Sequence, residues 1–160
     1  MPEIPSLDIL IAKYPNGNPE DVAKVVGGTV EEYFTKYSEF RDTCAVRVSH
    51  ALNLGGDPIP WAGGNLDNIY IKGIKVRTYK GANGKFYFFS TIDMRVYLNT
   101  RYKRAKEITP KAEAEKKLKG RKGIIAFGWF HIDLWDGEKC TRKCYFDHEK
   151  VDSIFFWESR

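Results

Sequence analysis

Residues 42–56 read Asp-Thr-Cys-Ala-Val-Arg-Val-Ser-His-Ala-Leu-Asn-Leu-Gly-Gly, a stretch with both ends of a helix written into it. Asp42 can cap the start, and Gly55 and Gly56 can supply the left-handed stop. Cys44, Val48, Ala51 and Leu52 recur at helical spacing and define one apolar face. This puts Cys44 at the second residue of the helix. Unpaired backbone N–H groups and the positive end of the helix dipole stabilise a thiolate there. The same N–H groups can donate to an oxyanion forming on a substrate carbonyl. Against this stands the ordinary reading of an isolated cysteine as a small buried core residue.

Upstream, Pro2, Pro5, Pro15 and Pro19 alternate with Asn16-Gly17 and Gly27-Gly28, which predicts short helices broken by turns. Asn18 followed by Pro19 suits one helix start, and Thr29-Val-Glu-Glu has capping-box spacing for the next. Downstream, Pro58, Pro60 and Gly63-Gly64 read as loop, and Ile69 to Lys80 as strand or extended chain. Gly84 to Phe89 reads as strand or an extended entry to a helix from Ile92 that uses Met94, Tyr97 and Leu98. Thr109-Pro110 then starts a second, charged surface helix ending near Gly120. The last third reads as strands: Gly123 onward, His131–Trp135, Cys144–Phe146 and Val151–Trp157, with a hairpin at Asp136-Gly137. Helices first and a mainly antiparallel sheet second make an α+β domain over residues 1–160. Its helical part spans about 1–56 and its sheet-rich part about 123–160.

The 160 residues are 42% hydrophobic and 29% charged, which suits a globular chain with one core. The mean hydropathy is -0.46, and no apolar run nears the ~18 residues of a membrane span. The acidic start, Met-Pro-Glu-Ile-Pro, is not a secretory signal. The net charge of +5 is uneven: residues 101–122 carry ten Lys or Arg against three Glu, and the remainder is slightly acidic. Such a segment can meet a nucleic acid, an anionic envelope polymer or an acidic protein, or simply form a solvated face. It carries no recognised nucleic-acid motif. The Gly-Gly pairs lack the strand-to-helix setting of a phosphate loop, so nothing calls for a nucleotide cofactor.

Three cysteines and three histidines do not have zinc-site spacing, so no metal is expected. A local disulfide within Cys140-Thr-Arg-Lys-Cys144 fits better, with Cys44 left over. A helix-borne cysteine followed by a histidine on a strand of the next sheet is the papain-like order. There, histidine serves as base for the thiol and acid for the leaving amine. His131 fills that place, and Asp133, two residues on, shares its strand face. His50 is turned away from Cys44 and reads as structural; His148 reads as exposed. Trp61 and Trp129 can line a groove, although core packing is the more frequent role.

Four segments resemble the type VI secretion amidase effectors of family four. They are Cys44-Ala-Val-Arg-Val-Ser-His-Ala-Leu-Asn, Gly84-Lys-Phe-Tyr-Phe-Phe, Gly120-Arg-Lys-Gly-Ile-Ile and His131-Ile-Asp-Leu-Trp-Asp-Gly, followed by the Cys-x-x-x-Cys pair and the aromatic strand with Trp157. The resemblance implies an NlpC-like, papain-like fold and cleavage of the amide between D-glutamate and diaminopimelate in peptidoglycan stem peptides. It further implies manufacture in the cytoplasm without a signal peptide, injection into a rival's periplasm and a cognate immunity protein. Carried over, Cys44 is the nucleophile, His131 the general base, and Cys140–Cys144 a disulfide suited to an oxidising compartment.

Two departures follow. The family's orienting aspartate between the cysteines is absent, since that stretch is Thr141-Arg142-Lys143; Asp133 is its expected replacement and Asp147, on the next strand, the alternative. The approach to the histidine, Gly128-Trp129-Phe130, also lacks the family's longer glycine-rich loop. A competing account is a catalytically weakened papain-like module that binds cell-wall peptides or a protein partner without hydrolysis. A nucleic-acid-binding domain using residues 101–122 is the least supported.

Overall fold

The computed structural model describes residues 2–60, 70–71 and 74–160. Trp61 and the Gly63-Gly64 turn lie outside the described residues. Three helices open the chain: α1 (Leu7–Lys13), α2 (Pro19–Val26) and α3 (Gly28–Lys36). Asn18 caps α2, its Oδ1 accepting from the Asp21 N–H at 2.8 Å with Pro19 in the first turn. The capping box expected at Thr29 does not form. The helix starts a residue earlier, at Gly28, and Gly27 with a φ of 67° occupies the cap position without a side chain to offer.

A 3-10 turn at Ser38–Phe40 leads into α4 (Cys44–Leu54), which is buried from Cys44 to Asn53. The pattern predicted one apolar face; instead, the whole cylinder is covered. It packs on α1 and on the sheet, and Arg47, Ser49, His50 and Asn53 survive burial by bonding to neighbouring segments. Gly56, with a φ of 111°, ends the helix in a conformation that only glycine adopts cheaply.

Two short antiparallel pairs follow. They are the pair β1 (Tyr70–Ile71) and β2 (Ile74–Lys75), then the pair β3 (Tyr79–Lys80) and β4 (Phe86–Tyr87). Helix α5 (Thr91–Arg101) is capped by Ser90, whose hydroxyl accepts from the Asp93 N–H at 3.1 Å. The expected charged helix after Thr109 is shorter than its sequence suggests. Following β5 (Lys106–Ile108), a cis Thr109–Pro110 bond leads to one 3-10 turn and α6 (Ala114–Leu118), anchored by buried Ala114 and Leu118.

The main sheet is antiparallel, ordered β5-β8-β6-β7, with β6 (Gly123–Phe127), β7 (His131–Trp135) and β8 (Ile154–Glu158). Its strands alternate between two cores. Ile124, Ala126, Ile132 and Leu134 face α1, α4 and α5; Ile125, Phe127 and Trp135 face α6 and the C-terminal loop with Phe146 and Val151. A third cluster joins α2 and α3 to Val46, Tyr87 and Phe89. Helices on one face and loop on the other leave β6 and β7 buried throughout. The mixed helix and antiparallel-sheet architecture is the expected α+β class.

The segment Cys144–Phe146, read as a strand, is irregular. The chain after the Asp136-Gly137 turn pairs with β7 only at the Trp135–Cys140 bridge and through the Thr141 N–H to the Leu134 carbonyl at 2.9 Å. Beyond that its N–H groups turn to a side chain instead of a strand. Asp147 accordingly lies in an exposed turn, not on a strand.

At the start of β6, a Cβ on Gly123 would come 2.1 Å from the Trp157 carbonyl oxygen. Gly123→Ala is expected to destabilise the protein by about 1–3 kcal/mol, the cost of overpacking against an element that cannot yield. Its urea midpoint should fall at unchanged m-value, and an unaltered midpoint would contradict this packing.

Candidate active site

Cys44 and His131 line one cavity of about 460 Å³, together with Asp42, Arg47, Arg142 and Tyr145 among others. Cys44 is the first residue of α4, one position nearer the helix end than its sequence suggests, because Thr43 is the cap residue. It is a free cysteine and only 5% exposed. Its Sγ sits 3.4 Å from the hydroxyl of Thr91, at the start of α5, and the Ile132 N–H of β7 donates toward it. The apolar face of α4 therefore brings the thiol against the sheet beside the strand that starts with His131.

His131 is 7% exposed and held on three sides. Phe127 stacks on its ring at 6.1 Å, and Tyr145 meets it edge-on at 4.8 Å. The third contact is polar: His131 Nε2 lies 2.8 Å from Asp133 Oδ2. A carboxylate can only accept here, so Nε2 carries the proton and Nδ1 keeps the lone pair of the neutral ring.

Asp133 is fully buried and not solvent-facing. Besides the imidazole, it accepts from the Leu134 N–H at 2.8 Å, the Arg142 N–H at 3.2 Å and the Lys143 N–H at 3.0 Å. The disulfide between Cys140 and Cys144 closes the small loop that carries the last two donors. The position where an aspartate was expected between the cysteines thus contributes its backbone, and the carboxylate comes from β7. Asp147 is exposed, and the carboxylate bonded to His131 is that of Asp133.

The electrostatics of the thiol run opposite to the sequence expectation. Burial, with the Asp42 carboxylate next, pushes the Cys44 pKa up to about 12, outweighing the helix terminus. The Cys44 N–H, expected as an oxyanion donor, is also occupied; it donates to Asp42 Oδ1 at 3.0 Å.

The other aromatic and histidine readings divide. His50 is structural, its Nδ1 lying 2.8 Å from the Tyr87 hydroxyl. His148 is half-buried and stacks on Phe130 at 4.2 Å, so its reading as exposed is corrected. Trp129 is 57% exposed at the turn between β6 and β7, which excludes core packing. Sequence reasoning passed over Thr91, Arg47 and Tyr145. Arg47 alone left a signal, being one turn beyond Cys44 on the same helix. A larger depression of about 590 Å³ between the chain ends is lined by Lys103, Arg104 and Arg160 but by no cysteine or histidine. Among the described residues no cluster of His, Cys, Asp or Glu could hold a metal, and no helix is long and apolar enough to cross a membrane.

Residues 40–157 match the family model described as type VI secretion system amidase effector protein 4. The chain belongs to this family. It is an enzyme, a peptidoglycan amidase of the kind that type VI systems deliver into target bacteria. The solved structures agree in fold. The type VI effector Tae4 from Enterobacter cloacae superposes with a TM-score of 0.80 at 26% identity, covering 100% of both chains. Salmonella typhimurium Tae4, crystallised with the immunity protein Tai4 from E. cloacae, matches with a TM-score of 0.77 at 25% identity over 98% of this chain and 99% of that one. The Tae4–Tai4 complex from E. cloacae matches at 0.78 and 26% over the same shares. No curated protein matches the chain.

Because the raised pKa keeps the thiol protonated at neutral pH, alkylation of Cys44 by iodoacetamide should quicken steadily as pH rises toward 12. Asp42→Asn removes a negative neighbour, so the thiolate forms more easily and the profile moves to lower pH. An unmoved profile would show that Asp42 has no part in it. Replacing Cys140 and Cys144 together by serine should speed amide exchange at Arg142 and Lys143 by about fivefold, as the loosened loop weakens each hydrogen bond to Asp133 by ~1 kcal/mol. The β6 amides should keep their protection.

Proposed function

We propose that Cys44 is the nucleophile and His131 the general base of an amidase that cuts the bond between D-glutamate and diaminopimelate in peptidoglycan stem peptides, in the periplasm of a target bacterium. Residues 1–160 act as one catalytic domain. The observation that carries this reading is the thiol and the Asp133-bound imidazole lining one cavity.

The chemistry proceeds in two halves. His131 Nδ1 takes the thiol proton as Sγ adds to the γ-carbonyl carbon of glutamate, which suits a thiol that is neutral at rest. The imidazolium then protonates the diaminopimelate nitrogen, the C–N bond breaks, and a thioester remains on Cys44. Water, deprotonated by the same ring, attacks the thioester; the product acid leaves and the thiol is restored. Asp133 keeps the proton on Nε2 throughout and stabilises the imidazolium. An immunity protein like the Tai4 crystallised with the related effectors protects kin cells.

Mass spectrometry of diaminopimelate-type muropeptides tests the proposal. Wild-type protein should release products whose masses place the cut at that amide, and Cys44→Ala should release none. Asp133→Asn should lower kcat by roughly a hundredfold or more, as loss of an orienting carboxylate does in other triads. Asp147→Ala should leave the rate unchanged. Intact muropeptides after prolonged incubation with wild-type protein overturn the mechanism, and full activity in Asp133→Asn removes that residue from it.

A further inference from the structure

The cavity holding Cys44 and His131 has an unbalanced wall. Arg41, Arg47, Arg142 and Lys143 line it, against the single lining carboxylate of Asp42. Asp42 is engaged by the Cys44 N–H at 3.0 Å, and Asp133, behind the wall, already accepts from His131 and three backbone N–H groups. Neither acid makes a salt bridge to these cations among the described residues.

Arg47 is the most unusual of the four. Its side chain is 1% exposed, with Nε donating to the Thr43 hydroxyl at 3.2 Å and Nη1 to the Pro15 carbonyl at 3.0 Å. The remaining nitrogen, Nη2, is buried and has no partner among the described residues. A guanidinium edge desolvated without an acceptor is costly, and such groups are rare in folded proteins. Arg142 adds a second guanidinium close enough to disfavour the charge on Arg47. Its Nη1 donates to the Gly17 carbonyl at 3.2 Å, and Arg142 lines the cavity. Both guanidinium groups belong to the wall of one cavity, and Asp133, the acid that favours the charge on Arg47, has its oxygens already engaged, so an incoming anion would relieve both the repulsion and the unmet donor.

Position decides which anion. Arg47 lies three residues after Cys44, on the same side of α4, so the donors sit within a short reach of the attacking sulfur. Planar forks pair with carboxylates through two parallel bonds. Resting on the reading that the bond cut is the γ-amide of D-glutamate, the substrate offers a free α-carboxylate a short aliphatic spacer from the carbonyl under attack.

We infer that Arg47 and Arg142 form a carboxylate-binding subsite that reads the free α-carboxylate of the glutamyl residue beside the scissile amide. The enzyme therefore discriminates against stem peptides in which that carboxylate is amidated. A carboxamide presents an N–H₂ to a wall that holds only donors and removes the charge that the wall is built to meet.

Two synthetic tripeptides, L-Ala-γ-D-Glu-diaminopimelate and its D-isoglutamine counterpart, test this by hydrolysis and by binding. Wild-type protein should show a kcat/KM for the acid about ten- to a hundredfold above that for the amide, the range of one charged hydrogen bond. The difference should fall mainly in KM, since the subsite binds ground and transition states alike. In Arg142→Ala, an exposed position whose replacement leaves the core intact, the preference should shrink toward unity. Arg47→Lys keeps the charge but loses the fork and should retain part of it. Calorimetry on Cys44→Ala with each peptide repeats the comparison without chemistry. Tighter binding of the acid, lost in the Cys44→Ala/Arg142→Ala double variant, supports the subsite even if wild-type protein cuts neither peptide. In that event the proposed reaction fails and the subsite stands. Equal handling of acid and amide in rate and in binding, or no measurable binding of either, overturns the subsite; equal cleavage alone leaves the proposed reaction intact.

Discussion

A carboxylate cut off from water must find donors for its oxygens or surrender its charge, and Asp133 finds four in one small region of the chain. Much of the local architecture follows from meeting that demand. The chain after the hairpin cannot continue as a fifth strand of the sheet, because the N–H groups of Arg142 and Lys143 are turned toward the side chain. The Cys140–Cys144 bridge closes the loop that turns them. The Trp135–Cys140 bridge and the Thr141 N–H on the Leu134 carbonyl cover part of the outer edge of β7, which would otherwise be an open strand edge. With these donors in place, Asp133 fixes the ring of His131 in one tautomer and one plane, and Phe127 and Tyr145 complete the clamp.

Helix α4 supplies the other half of the site under a different constraint. It is surrounded on every side, so the residue at its start is held firmly but loses its water. The helix dipole favours a thiolate, whereas burial and the adjacent Asp42 oppose one, and the opposition prevails. A neutral resting thiol fits proton transfer to His131 in step with attack better than a preformed ion pair. It also spares a buried cysteine from oxidation, since reactivity toward oxidants follows thiolate character and exposure. The cations along the cavity raise the local potential. Any carboxylate-bearing molecule that enters is drawn toward the wall that carries Cys44.

The course of α4 to within a residue, the strands β6 and β7, the Asp136-Gly137 turn and the shared face of His131 and Asp133 were all legible in the sequence. Each rests on a local rule: caps and glycine stops, period-two alternation, turn chemistry. The errors cluster where local rules compete with neighbours distant in the chain. Thr29 has capping-box spacing, but Gly27 and Gly28 approach the backbone of Gly81 and Ala82 so closely that a Cβ at Gly28 would lie 2.7 Å from Gly81, and the helix begins at the glycine instead. Cys144–Phe146 has strand-like side chains, but the N–H groups of Arg142 and Lys143 just before it turn toward the Asp133 side chain and the chain leaves the sheet. Trp129, for which core packing is the more frequent role, lies in the turn between β6 and β7 and is exposed.

By itself, the sequence determined the helix that carries Cys44 near its start, the strand that begins with His131 and the carboxylate two residues beyond it, because spacing along one element fixes which side chains share a face. Only the tertiary structure decided that the thiol is desolvated, that Asp133 is buried and met by the backbone of Arg142 and Lys143, and that Arg47 and Arg142 line one cavity with Cys44. Burial, charge and hydrogen-bond partners depend on segments far apart in the chain, and no local pattern encodes which of them will meet.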